Sequence, residues 1–414
     1  MRTQMRIRLS VMMFLEYFIW GVWYVTLGTW LGEQLHFSGQ QIGFAAGTTA
    51  LGAMLSPFLA GLLADEFFAT QNLLAALHGI GGVLLWYAST RKEFGIFYAV
   101  LLLYSLCYMP TMALTNSLSF RHMRDPRQEF GSIRVLGTAG WIVAGLIIGF
   151  LHVEPTAIPM RLAAGSSVLM AIYCLTLPNT PPLGSASELK LKHIFHGESV
   201  SLFKDKAFSV FAAASFLICI PLQFYYAFTN PYLNEIGVQN AAGKMTMGQM
   251  SELLFMLAIP WFFRKLGVKR TLMLGMLAWV LRYAAFAYGN NGALVWLLYF
   301  GIVVHGICYD FFFVTGQIYV DRKAPPALRA AAQGLITFIT YGAGMFIGSW
   351  LSGKVVDMYV KSSTLGIVAH TWRSIWLVPA AGSAVVLILF ALGFRDNEAR
   401  FSTSRSTQAA PASE

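Results

Sequence analysis

The chain alternates between long apolar stretches and short polar connections. Twelve apolar stretches are bounded by charged residues, Gly, Pro or Asn. They lie at 9–31, 41–64, 72–90, 94–117, 132–152, 159–177, 207–233, 245–263, 271–289, 293–318, 328–352 and 374–394. Each is long enough, as a helix rising about 1.5 Å per residue, to cross a hydrocarbon core of roughly 30 Å. Backbone groups must be hydrogen-bonded within lipid, so we predict an all-α membrane protein with twelve transmembrane helices.

The longest internal polar connection divides these helices into two sets of six. We predict an N-terminal six-helix bundle over 1–178, a cytoplasmic linker over 179–206, a C-terminal six-helix bundle over 207–394 and a cytoplasmic tail over 395–414. The pairs Gly145-x-x-x-Gly149 and Gly344-x-x-x-Gly348 occupy matching places in the fifth and eleventh stretches. This echo predicts two pseudo-symmetric bundles, with both glycine pairs in close helix packing.

Composition and charge place the chain in a membrane. Of its 414 residues, 57% are apolar and 12% are charged, whereas soluble domains carry roughly 25% charged residues. The net charge of +10 would suggest nucleic-acid binding in a soluble protein. Here, however, basic residues concentrate on alternate connections, twenty on one side and seven on the other. The positive-inside rule therefore predicts a multi-pass membrane protein with both termini cytoplasmic and no nucleic-acid partner. The membrane is expected to be the inner (plasma) membrane.

Motifs for enzymatic chemistry are missing from the sequence. It contains no nucleotide-binding GxxxxGK[ST], no HExxH and no GxSxG, and its eight histidines lack metal-ligand spacing. Its four cysteines lie in apolar stretches without a CxxC pair. We therefore expect no catalytic residues, no metal and no cofactor, and a monomer in the lipid bilayer.

Three acidic residues lie within predicted transmembrane helices: Glu16, Glu252 and Asp310. A charge at the centre of a bilayer costs roughly 2.5–3.5 kcal/mol on insertion scales, so such side chains should face a cavity or a partner. Desolvation favours the neutral form of a carboxyl. The three acids are therefore candidates for proton coupling, and the alternative is a structural ion pair.

Polar residues form short stripes on several predicted helices. In the fifth, Arg134, Thr138 and Trp141 share one face and are suited to grip a flat polar solute. Three further pairs are Gln223 with Tyr226, Gln249 with Glu252, and His305 with Tyr309. Amide and imidazole groups can bind base edges or sugar hydroxyls, and aromatic rings can stack on a base. Such residues also commonly bond helices together, and we expect a structural role for Arg282.

Aromatic residues are too frequent for each one to indicate a site. The cluster of Trp20, Trp23 and Tyr24 in the first helix is a weaker candidate for substrate contact, because aromatic residues make up 14% of the chain. In the seventh helix, Pro231 lacks an amide hydrogen and predicts a break or kink.

Several motifs, in order along the chain, resemble the nucleoside:proton symporters, the bacterial nucleoside permeases of the major facilitator superfamily. The matching stretches are Trp20-Gly21-x-Trp23-x-x-Thr26-Leu27-Gly28, Tyr108-Met109-Pro110-Thr111, Ile133-Arg134-x-x-Gly137-Thr138-x-Gly140, Ser251-Glu252-x-Leu254-Phe255, Ala278-Trp279-x-Leu281-Arg282, Tyr309-Asp310-Phe311-Phe312 and Ser352-Gly353-Lys354-Val355-Val356. The resemblance implies the major facilitator fold. It also implies substrate contacts at Arg134, Thr138, Gln223, Gln249 and Glu252, and proton coupling at Glu252 and Asp310.

These observations predict a secondary active transporter that imports nucleosides together with protons by alternating access. The substrate would enter between the two bundles, and a carboxyl, foremost Glu252, would bind the proton. Within the same superfamily, a sugar importer or a drug/proton antiporter is the alternative. A further alternative is a receptor with a transporter-like fold that binds a ligand without transporting it, although neither the linker nor the tail is long enough for a regulatory domain.

Overall fold

The computed structural model describes residues 3–66, 68–182, 200–361 and 369–395, without the side chains of 56–66, 126, 127, 327 and 330. Most of the predicted linker and nearly all of the predicted tail lie outside the described residues.

Twelve helical spans follow one another along the described chain. Spans 1 to 6 are Thr3–Tyr24 with Leu27–Glu33, Gly39–Glu66, Thr70–Ala88, Phe94–His122, Pro126–Leu151 and Ile158–Cys174. Span 7 is Lys206–Glu235, and Ala241–Tyr288 contains spans 8 and 9. Span 10 consists of Val295–Val303, His305–Tyr309, Asp310–Val314 and Thr315–Lys323, span 11 of Arg329–Thr337, Phe338–Gly344 and Met345–Met358, and span 12 is Trp372–Gly393. Short 3₁₀ turns cover Ser201–Lys204 and Pro326–Leu328, and strands β1 (Val360–Lys361) and β2 (Ala369–His370) form an antiparallel pair.

Several spans are less regular than the sequence pattern predicts. Span 1 breaks between Tyr24 and Leu27. Spans 8 and 9 separate at Gly267, whose φ of 70° favours glycine because a side chain would be strained there. Spans 10 and 11 each contain a π-helical segment, a feature frequent at functional sites. Of the break or kink predicted at Pro231, the break is not found, because span 7 stays helical through that proline.

The apolar outer surface agrees with a membrane environment. Phe150, Leu257 and Leu392 are 79%, 81% and 70% exposed on the outside of the helices, where a water-soluble protein would place polar side chains. Eight helices in the described part of the chain are long and apolar enough to cross a membrane, and the shorter apolar helix Ile158–Cys174 accompanies them. The chain is therefore a multi-pass membrane protein.

The seam between the two sets of six spans is formed by equivalent helices from each set. Span 5 packs on span 8, span 2 packs on span 11, and the second part of span 1 packs on span 7. We call spans 1–6 the N-half and spans 7–12 the C-half. These contacts place spans 2, 5, 8 and 11 around the space between the halves.

The two predicted glycine pairs do permit close packing, but against different partners. A Cβ on Gly145 would lie 2.6 Å from Thr246 of span 8, across the seam. A Cβ on Gly344 would lie 2.9 Å from Cys219 of span 7, within the C-half. The matching sequence positions are therefore not equivalent in the structure.

Candidate functional site

A cavity lies at the seam between the halves. Seventeen residues line it: Tyr17, Trp20, Tyr24, Thr49, Ala50, Ala53, Met109, Arg134, Thr138, Trp141, Tyr226, Gln249, Glu252, His305, Tyr309, Tyr341 and Met345. Both halves contribute to the wall, so a bound solute would contact both.

Eight of the nine predicted substrate-binding residues line this cavity. They are Arg134, Thr138, Trp141, Tyr226, Gln249, Glu252, His305 and Tyr309. The ninth, Gln223, is fully buried outside the wall. Of the aromatic cluster in span 1, Trp20 and Tyr24 line the cavity. Trp23 instead packs edge-on against Tyr104, with the ring centres 5.5 Å apart.

The charges in the cavity come from opposite halves. Arg134 is on span 5 of the N-half, and Glu252 is on span 8 of the C-half. The guanidinium of Arg134 lies over the Tyr17 ring, 4.0 Å from its centre. Nε2 of His305 is 4.0 Å from Oε2 of Glu252. One mobile solute or proton can therefore affect a cation of one half and a carboxyl of the other.

Aromatic rings form much of the remaining wall. Trp20 and Trp141 meet edge-on with ring centres 5.4 Å apart. The hydroxyl oxygens of Tyr309 and Tyr341 are 2.6 Å apart and share a hydrogen bond. Flat apolar faces beside a few polar groups suit a planar heterocycle that carries hydroxyl or amide groups.

Arg282 lies behind this wall, fully buried. Its Nε donates to the carbonyl oxygen of Gly301 at 3.0 Å, and its guanidinium lies 4.0 Å from the centre of the Tyr225 ring. Tyr225 stacks in turn on His305, with ring centres 5.0 Å apart. The expected structural role takes the form of a cation–π contact and not a salt bridge within the described residues.

Asp310 is fully buried in the π-helical segment of span 10 and does not line the cavity. Neither of its carboxyl oxygens has a hydrogen-bond partner among the described residues. A buried carboxylate without hydrogen bonds is costly, so the neutral, protonated form suits this position.

Glu16, in contrast, is fully buried and satisfied by partners within the N-half. Thr111 donates to its Oε1 at 2.6 Å, and Nε2 of His78 is 3.0 Å from its Oε2. Ser167 donates to the backbone oxygen of His78 at 2.9 Å, and its Oγ lies 3.3 Å from Nδ1 of the same histidine. Both carboxyl oxygens of Glu16 and both ring nitrogens of His78 therefore have partners within the N-half.

Hydrogen bonds also join the halves at one end of the seam, the end predicted to face outside. Glu154 follows span 5 and accepts from Asn230 and Asn234 of span 7 at 2.7 and 2.9 Å, and from the amide of Ala242 at 3.0 Å. Thr29 donates to Asn230 at 2.5 Å.

A second carboxylate joins the halves at the same end. Asp357, at the end of span 11, accepts from the amides of Gly39 and Gln40 at 2.6 and 2.8 Å. With the bonds to Glu154, these contacts close this end of the seam.

Some functional features were not expected from the sequence. Tyr17 and Tyr341 line the cavity, but both lie among many other aromatic residues and carry no distinguishing spacing. Glu154 and Asp357 lie in or beside polar connections, where acidic residues are common. Only the folded arrangement shows that each contacts the opposite half.

Several known proteins are similar to this chain in sequence and in architecture. Residues 1–399 match the family described as Nucleoside H+ symporter. The transporter YegT of Escherichia coli (strain K12) is 42% identical over 94% of each chain, and the xanthosine permease of the same organism is 33% identical over 94% of this chain and 96% of its own. A crystal structure of the nucleoside transporter NupG superposes with a TM-score of 0.87 at 31% identity, covering 95% of this chain and all of that one.

Proposed function

Since the chain belongs to the nucleoside H+ symporter family and has the twelve-helix major facilitator fold, we propose that it imports nucleosides by alternating access, driven by protons. The observation that carries the proposal is the cavity at the seam, with Arg134 on one half and Glu252 on the other. Alternating access requires a site between the two halves, and proton coupling requires in addition a group that can bind and release a proton.

The wall of the cavity suits a nucleoside. Trp20, Trp141 and Tyr226 offer flat faces for the base. Gln249 can both donate to and accept from a base edge or ribose hydroxyls. Arg134, held against Tyr17, supplies a fixed donor, and Thr138 lies one helical turn further along the same face.

Proton coupling is proposed for Glu252 and Asp310. In its charged form, Glu252 attracts Arg134 across the cavity. A proton arriving with substrate neutralises Glu252 and weakens this attraction, so the halves can rearrange around the bound solute. Asp310 is buried in the π-helical segment of span 10 without hydrogen-bond partners among the described residues, which favours a protonated state in at least one step of the cycle.

Glu16 does not share these properties, so we revise the expectation that it takes part in coupling. Its two carboxyl oxygens are occupied by Thr111 and His78, and it does not line the cavity. We propose that the Glu16–His78 pair holds spans 1 and 3 together.

The orientation of the chain in the membrane is proposed from its charge distribution. Both termini are proposed to be cytoplasmic, because the basic connections lie on that side. The bonded end of the seam then faces outside, and the structure corresponds to a state closed to the outside. The protein is proposed to act as a monomer in the bilayer without a nucleic-acid partner.

The test is uptake of labelled uridine and adenosine into proteoliposomes with an imposed proton gradient. Accumulation above equilibrium that an uncoupler abolishes is expected for the wild-type chain. Glu252→Gln is expected to lose accumulation. Uphill uptake by Glu252→Gln equal to that of wild type would remove the coupling role of Glu252, and transport of sugars in place of nucleosides would overturn the substrate.

A further inference from the structure

Two carboxylates at the closed end of the seam share one unusual placement. Glu154 follows span 5 and accepts from the amide of Ala242, the second residue of the helix that begins span 8. Asp357 ends span 11 and accepts from the amides of Gly39 and Gln40, the first two residues of span 2. Each carboxylate therefore caps the first turn of a helix in the opposite half.

The two contacts are related by the pseudo-symmetry of the halves. Spans 5 and 11 occupy equivalent places, as do spans 2 and 8. Each half thus supplies one carboxylate and receives one. The first amides of a helix have no partner within the helix and carry partial positive charge, so a carboxylate is their best partner. Both contacts must break before the halves can separate at this end.

Glycines allow the backbones to come close enough for these contacts. Gly149 lies against Asn240 and Gly243 at the start of span 8, and a Cβ there would overlap both. Gly353 lies against Gly39 and Gln40 at the start of span 2 in the same way. The carboxylates are therefore held at a seam that is built to close tightly.

The two contacts differ in strength. Glu154 is 3% exposed and also accepts from Asn230 and Asn234. Asp357 is less buried, and the two bonds given above, to Gly39 and Gln40, are backbone contacts. Because a desolvated charge depends more on its partners, the Glu154 contact should hold the closed state more firmly than the Asp357 contact.

We infer that Glu154 and Asp357 are the residues that hold the outer gate of the transport cycle closed, each by capping a helix of the opposite half. The inference rests on the proposed alternating-access function. It assigns a role in the transport cycle to two residues that do not contact substrate. It also ranks them, because loss of Glu154 should open the outer end more than loss of Asp357.

The experiment measures the distance across the outer end in the full chain. Spin labels are placed through cysteines at Lys92 and Ala293, which are exposed on outer connections of the N-half and the C-half. The background replaces the four native cysteines. Pulsed electron resonance in lipid nanodiscs then gives the ratio of separated to closed distances. Glu154→Gln and Asp357→Asn are compared with the unsubstituted labelled chain.

Glu235→Gln is the matched control. Glu235 lies at the same end, but it accepts from the amide of His370 at 2.7 Å and pairs with that imidazole at 2.6 Å within the C-half. We expect the separated fraction to rise roughly three- to tenfold in Glu154→Gln and less in Asp357→Asn. Glu235→Gln should match the unsubstituted chain.

Unchanged distances in both gate variants would overturn the inference, as would an equal change in Glu235→Gln. If Glu154→Gln fails to fold, the Asp357→Asn distribution alone decides, because an unaltered one contradicts the inference. Nucleoside flux by the same wild-type protein separates this result from the proposed function. If the wild-type chain transports nucleosides but the gate variants leave the label distances unchanged, only the inference about the gate is wrong. If the distances change but the wild-type chain does not transport nucleosides, only the substrate assignment is wrong.

Discussion

The guanidinium of Arg134 lies 4.0 Å from the centre of the Tyr17 ring. Tyr17 is on span 1 and Arg134 on span 5, so the contact fixes the cation across two helices. Gly137, one turn after Arg134, makes room for the ring, because a Cβ there would lie 2.6 Å from it. Tyr17 is therefore a positioning residue for the cation of the cavity.

Replacing the Tyr17 ring should weaken substrate binding without removing transport. A partly desolvated cation–π contact is worth about 1–2 kcal/mol, so Tyr17→Leu should raise KM for nucleoside roughly five- to thirtyfold. Tyr17→Phe keeps the ring and should stay near wild type. Uptake kinetics check both variants. Equal KM values for the two would show that the ring does not orient Arg134.

Asp310→Asn should separate coupling from binding. Asp310 does not line the cavity, so nucleoside binding measured calorimetrically on the purified protein should change little. Proton-driven accumulation should be lost, because an amide cannot exchange a proton at this position. Glu252 lines the cavity, so Glu252→Gln should impair both nucleoside binding and proton-driven accumulation. Full accumulation by Asp310→Asn would assign coupling to Glu252 alone.

The sequence was sufficient for the architecture and for most of the cavity. Apolar length and charge placement are local patterns, and polar residues within apolar helices are rare enough to point inward. The fold therefore followed from the sequence, and so did the placement of residues such as Arg134, Gln249 and Glu252. The surroundings of Glu16 could not be predicted, because its partner His78 is distant in sequence and nothing in the pattern joins them.

Other features depend on tertiary contacts and could not be predicted. One is the π-helical turn at Asp310–Val314, which no propensity rule indicates. Gln223 belongs to a polar stripe but is buried outside the wall. In the sequence, Glu154 and Asp357 resemble any acidic residue in or near a connection. Their role depends on the helix starts of the opposite half, which the fold brings next to them.

The Glu16–His78 pair should be needed for stability and not for coupling. Removing one member of a buried pair leaves the other uncompensated, at a cost of about 3–5 kcal/mol. His78→Ala should therefore lower the thermal unfolding midpoint in detergent. Glu16→Gln still accepts from Thr111 and can donate to a neutral His78, so it should keep accumulation. Loss of the proton drive in a well-folded Glu16→Gln would return Glu16 to the coupling machinery.

The ion pair between Asp205 and Lys323 should not contribute to the pH dependence of transport. Burial raises the pKa of Asp205, but hydrogen bonds from Lys323 and from the amide of Phe208 outweigh it, so the pKa lies below its ordinary value. A lowered carboxyl pKa gives stability that is present above the unfolded pKa of about 4 and is lost as pH falls through the folded value.

Asp205→Asn should therefore leave the pH profile of uptake unchanged between about pH 5 and 8. Asparagine also keeps the cap on span 7, whereas Asp205→Ala should cost about 1 kcal/mol of stability. Uptake across that pH range and thermal unfolding check the two variants. A shifted pH profile in Asp205→Asn would contradict the assignment of pH dependence to the cavity.

Closure of the seam should depend on Gly43. This residue of span 2 lies against the backbone of Ser349 in span 11, and a Cβ there would overlap the carbonyl oxygen of Ser349. Because backbone cannot give way as a side chain can, Gly43→Ala should disfavour the closed outer end by about 1–3 kcal/mol. The spin-label distance between positions 92 and 293 should lengthen, and the maximal uptake rate should fall because the cycle must pass through the closed state. Gly165→Ala is the control, since nothing lies within 4 Å of its added carbon. A Gly43→Ala protein with wild-type distances and rate would show that spans 2 and 11 need not meet this closely during transport.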